Sequence, residues 1–128
     1  MSNGPARHID SAVQAIRQFN HASRSAGPEW QRPGDTYSAI GALSQLAGML
    51  PQALEQSIRP VTRTHEDGRL AIDGGGDPEA AVRYLRDALA AAVKAAADVE
   101  FAVGQMHIET GPMSYDTSGL PEFEDNGE

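Results

Sequence analysis

The segment DPEAAVRYLRDALAAAVKAAADVEFAVGQMH, Asp77 to His107, decides the fold class. It opens with three helix-start signals. Asp77 is an N-cap acceptor, Pro78 takes the first helical position, where a missing N–H costs nothing, and Glu79 faces the positive end of the helix dipole. Val82, Leu85, Leu89, Ala92, Ala96, Val99, Val103 and Met106 then follow in alternating steps of three and four, which is a heptad seam. Ala81, Ala88, Ala95 and Ala102 recur at every seventh residue, so one edge of that seam is alanine throughout. The spacing predicts one long helix over about 78–107. Gly41 and Gly48, also seven apart, lie beside Ile40, Ala47 and Leu54. They are expected to pack on the alanine edge in an antiparallel sense, so that Ala95→Leu would cost about 1–3 kcal/mol by overpacking.

Two further helices are expected upstream. Ile9, Ala12, Val13, Ile16 and Phe19 form one apolar stripe over about 7–25, which Gly27-Pro28 should end. After the connector Gly27 to Gly34, Asp35 is a suitable N-cap for a second helix over about 36–59, with Tyr37, Ile40, Leu43, Leu46, Ala47, Leu50 and Leu54 on its apolar face. Pro51 falls inside that pattern and is expected to kink or break the helix, because it lacks an N–H and crowds the preceding turn. Pro60 marks a second kink or an end. From Arg63 to Asp77 the periodicity fails, and the polar, Gly-rich run is read as a long loop with an apolar island at Leu70 and Ile72. The expected architecture is therefore all-α: an antiparallel bundle of three to four helices in residues 1–108, a Gly-rich loop before the last helix, and an acidic, disordered tail over 109–128.

Composition bounds what such a chain can do. At 128 residues there is room for a single core, and with 5% aromatics against 40% hydrophobic residues, many of them alanine, that core is thin. The net charge is −8, and Glu109, Asp116, Glu122, Glu124, Asp125 and Glu128 account for all but two of those charges. This balance disfavours direct nucleic-acid binding, which needs a basic field, and disfavours an anionic membrane surface. The chain has no cysteine, hence no disulfide framework and no thiolate chemistry. Met1 to Asp10 lacks the apolar core of a signal peptide, and no apolar run approaches the length of a membrane span, so the expected location is cytoplasmic. Nine arginines against the single Lys94 suggest a GC-rich bacterial genome.

No catalytic, cofactor-binding or metal-ligating set is expected. The four histidines (His8, His21, His65, His107) fall one to a segment, without the Glu-x-x-His pairs of carboxylate-bridged bundles or a His-Glu-x-x-His helix. His65-Glu66-Asp67 is too local to form a complete metal shell. Gly74-Gly75-Gly76 precedes a helix N-terminus, but no strand leads in, no Gly-Lys-Ser/Thr follows, and Asp77 and Glu79 would repel a phosphate. The spacing of acids from Asp67 to Asp77 does not fit a calcium loop. No serine sits in a Gly-x-Ser-x-Gly elbow.

What remains are candidate interaction surfaces. Trp30 is the only tryptophan, either capping one end of the helices or anchoring a partner. Phe101 and Ile108 lie seven apart on the outer side of the last helix, off the seam, and are either covered by the first helix or the tail or form a self-association face. Tyr115 and Phe123 are interspersed with acids in the tail, which reads first as a solubilising segment and otherwise as one that folds onto a partner. The connector invites comparison with the helical-hairpin proteins exported by type VII secretion systems, which carry Trp-x-Gly between two helices. Here Trp30 is followed by Gln31, Arg32 and Pro33 before Gly34, and Tyr115 is followed four residues later by Gly119, not by the acid of their export signal. The likeness is one of size and helicity only. The expected function is a non-catalytic, self-associating interaction protein with a protein partner. The first alternative is an acidic regulator or decoy for a basic, nucleic-acid-binding protein, and the second is a secreted helical-hairpin protein or its chaperone.

Overall fold

The computed structural model describes residues 4–25 and 27–123. It contains α1 (Ala6–Ala22), α2 (Pro33–Ser57), α3 (Arg59–Glu66) and α4 (Pro78–Thr110), with short 3-10 helices at Pro28–Trp30 and Pro121–Phe123. The described residues include no strand, so the chain is all-α. No described helix is long and apolar enough to cross a membrane. The chain divides into two compact units, Tyr37–Met113 on one hand and Met1–Thr36 with Ser114–Glu128 on the other.

In the unit Tyr37–Met113, α4 starts as its sequence dictates: the Glu79 backbone N–H donates to Asp77 Oδ1 at 3.1 Å, closing the N-cap. Val82 and Ala96 on α4 are buried, as are Ile40 and Ala47 on α2. Leu85, Leu89, Ala92 and Val103 of the expected seam are half-buried. Val99 and Met106 are not part of it; they are 50% and 52% exposed, and His107 and Thr110 turn inward instead. A straight α-helix drifts about 20° per heptad against a strict seven-residue repeat. Over more than three heptads the inward face therefore moves to later positions than the heptad count assigns.

The same drift overturns the expected alanine contact. Ala88, Ala95 and Ala102 are exposed, and the glycine face of α2 meets other residues. A Cβ on Gly41 would lie 3.0 Å from His107 Nε2, and one on Gly48 would lie 2.8 Å from Glu100 Oε2. Tyr37 stacks on the His107 ring at 4.2 Å and 25°. Rising numbers on α2 thus meet falling numbers on α4, so the two helices run antiparallel, and the glycines make room for a histidine and a glutamate.

α2 is not broken at Pro51. It runs continuously to Ser57 and starts three residues earlier than expected, at Pro33. The interruption falls at Ile58, and Pro60 occupies the first turn of α3, where its lack of an N–H is harmless. The expected loop from Arg63 is shorter than the pattern suggests, because α3 continues to Glu66. Thr62 and Thr64 donate their hydroxyls to Arg59 O (3.2 Å) and Pro60 O (2.7 Å). Gly68, at φ 71°, ends α3: its N–H donates to His65 O and the Arg69 N–H to Thr64 O, the paired bonds of a Schellman cap. α3 packs on α4, and tertiary contact of this kind stabilises an eight-residue helix that would be marginal alone.

The other unit is built differently. α1 stops at Ala22, short of the expected Ser25, and none of its residues is buried. Ile9, Val13, Ile16 and Phe19 do form one stripe, yet they remain 37–58% exposed. Asp35 is not an N-cap. It lies within the first turn of α2, and its carboxylate accepts the N–H groups of Gln31 (3.1 Å) and Arg32 (3.0 Å), fixing the approach to the helix.

Candidate interaction surfaces

Phe101 and Ile108 sit where the helical period places them, on the outer side of α4, 71% and 65% exposed. A groove of about 490 Å³ runs beside them, lined by Ala97, Glu100, Gly104 and Gln105 of α4 and by Ser44 of α2. Nothing stands within 4 Å of the position a Cβ would take on Gly104, so the floor between the two large side chains is open.

Trp30 is half-buried in its 3-10 helix and meets the Phe19 ring edge-on, with centroids 5.5 Å apart and planes at 89°. Edge-to-face pairs of this kind contribute about 0.5–1.5 kcal/mol beyond their burial. Beside them is a shallow hollow of about 220 Å³ whose walls include Phe19, Ala22, Glu29 and Trp30. The ring thus lies against the C-terminal end of α1 and keeps one side open.

In the segment after α4 the structure brings two candidates together. Tyr115 and Phe123 have ring centroids 6.3 Å apart, and the Arg32 guanidinium lies 3.7 Å above the Tyr115 ring. At exposed positions a cation over a ring is worth about 0.5–1 kcal/mol. Between them, Ser118 donates its backbone N–H to Asp116 Oδ1 at 2.9 Å. Hydrogen bonds from the Ser118 hydroxyl and then its N–H hold the Asp116 carboxyl below its ordinary range. The expected disorder of the tail also concerned Glu124, Asp125 and Glu128, which lie outside the described residues.

Sequence reasoning did not find the Tyr37–His107 stack or the contact between His65 Nε2 and Glu79 Oε1 at 3.4 Å. The latter ties α3 to the first turn of α4, beside an open cleft that Arg83, Arg86 and Asp87 also line. Both contacts join residues about seventy and fourteen positions apart, so no local pattern carries them. Among the described residues, no three His, Cys, Asp or Glu side chains converge as a metal-ligand set. Comparison with protein-family models, curated proteins and solved structures finds no match to this chain.

Proposed function

We propose that the protein is a non-catalytic interaction protein, an antiparallel helical bundle that self-associates through an exposed helix face. The observation that carries this reading is the surface of α4. From Ala88 to Phe101 only Lys94, Asp98 and Glu100 are polar, yet Val99, Phe101, Met106 and Ile108 are all at least half exposed in the single chain. A helix apolar around most of its circumference is stable in water when more than one side is covered. Exposed apolar surface of this extent is a feature of association sites. Light scattering on the purified full chain over a range of concentrations tests the proposal. The expected result is a mass twice that of the 13.6 kDa chain. A monomer at every concentration would overturn it.

A further inference from the structure

Resting on the self-association proposed above, we infer that the second copy docks on the outer face of α4, antiparallel, with Phe101 of each copy seated over Gly104 of the other. Ala90, Lys94, Ala97, Phe101, Gly104 and Ile108 follow steps of four, three, four, three and four, a second seam on α4 distinct from the one that buries Val82 and Ala96. Side-chain size alternates along its C-terminal half. Phe101 and Ile108 project into solvent, while Ala97 and Gly104 leave low ground between and beside them.

Direction follows from that alternation. Parallel pairing in register would set Phe101 on Phe101 and Gly104 on Gly104, ring against ring and gap against gap. Antiparallel pairing about a two-fold axis between Ala102 and Val103 sets Phe101 on Gly104 and Ile108 on Ala97, each large residue over a small one. The same axis brings Lys94 level with Gly111, at the C-terminal end of the other α4 and close to Glu109. A cation is favoured there by the helix dipole and by the carboxylate. The bond from Lys94 Nζ to Asp98 Oδ2 at 3.3 Å is solvent-exposed and holds the lysine only weakly. One register therefore satisfies both shape and charge, and the two-fold repeats each contact. The groove's second wall, through Ser44, gives the incoming helix two helices to rest on.

The absence of cysteine makes the register directly readable, since introduced thiols would be the only ones. In the full chain carrying both Ala97→Cys and Ile108→Cys, the proposed pairing places each thiol opposite its counterpart in the second copy. The two positions are roughly 16 Å apart within one helix, and each is about as far from its own equivalent across the axis. A disulfide needs Cα atoms closer than about 7 Å. The double variant is therefore expected to form a covalent dimer under mild oxidation, and neither single variant is. Phe101→Glu, with helix content checked by circular dichroism, is expected to raise the concentration for half-dimerisation at least tenfold. A dimer indifferent to Phe101→Glu, or single variants that cross-link as readily as the double, would overturn this face or its direction while leaving self-association standing. A monomeric parent chain would remove both.

Discussion

The two units of this chain reach helical structure by different means. The unit Tyr37–Met113 holds the buried side chains Ile40, Ala47, Val82 and Ala96, and its long helices pair through glycines that admit His107 and Glu100. In Met1–Thr36 with Ser114–Glu128, no described side chain is buried. Order there comes from Phe19 against Trp30, Arg32 over Tyr115, and backbone N–H groups bonded to Asp35. The contrast is one of apolar supply. α2 and α4 each bury aliphatic residues, Ile40 and Ala47 on one and Val82 and Ala96 on the other, whereas α1 has one apolar stripe and no described partner helix of comparable length within its unit. Helix formation and core formation are separable, and this chain shows a helix whose amphipathic pattern has not produced a core.

The largest expected effect is in the buried pair of helices. Ile40→Ala removes a side chain that is 7% exposed and should cost about 2–4 kcal/mol, read as a lower urea midpoint by far-ultraviolet circular dichroism. A change below about 1 kcal/mol would mean that this unit has no more of a core than the other.

Next comes a comparison of neighbours on α4. Ala96 is 7% exposed, whereas its neighbour Ala95 is exposed. Ala96→Leu should cost about 1–3 kcal/mol by overpacking, while Ala95→Leu should stay within about 0.5 kcal/mol of the parent. Equal costs would restore the alanine edge as a packing surface and undo the drift of the seam.

The smallest effect should be confined to the other unit. Phe19→Ala is expected to cost about 0.5–1.5 kcal/mol there by removing the edge-to-face contact. Trp30 is the only tryptophan, so its fluorescence reports this unit alone, while circular dichroism weights the longer helices. The variant should shift the fluorescence transition to lower urea and leave the dichroism transition nearly in place. Coincident shifts by both probes would show that the two units unfold as one.

Several elements were legible before any coordinates. The Asp77-Pro78-Glu79 start of α4 reads directly from local chemistry, because caps and proline act over three or four residues. The apolar stripe of α1 and the outward placement of Phe101 and Ile108 read from the helical period. Gly68 was a usable signal for the end of α3, but the polar run around it hid a helix that depends on contact with α4. Asp35 looked like a cap because residue type alone does not say whether a carboxylate caps its own helix or reaches back to the chain before it.

For this protein the sequence by itself determined the existence of α1, α2 and α4, since capping, proline placement and apolar period are local properties of the chain, but not α3, which depends on its contact with α4. It also placed Phe101 and Ile108 off the α4 seam, though not Val99 and Met106. Only the tertiary structure decided which residues face each other. Whether Gly41 meets an alanine or His107 depends on the accumulated rotation of a 33-residue helix, where a few degrees per turn move the contact to another side chain. Only the tertiary structure also decided which apolar stripes become buried, because burial requires a complementary surface that no single stripe contains.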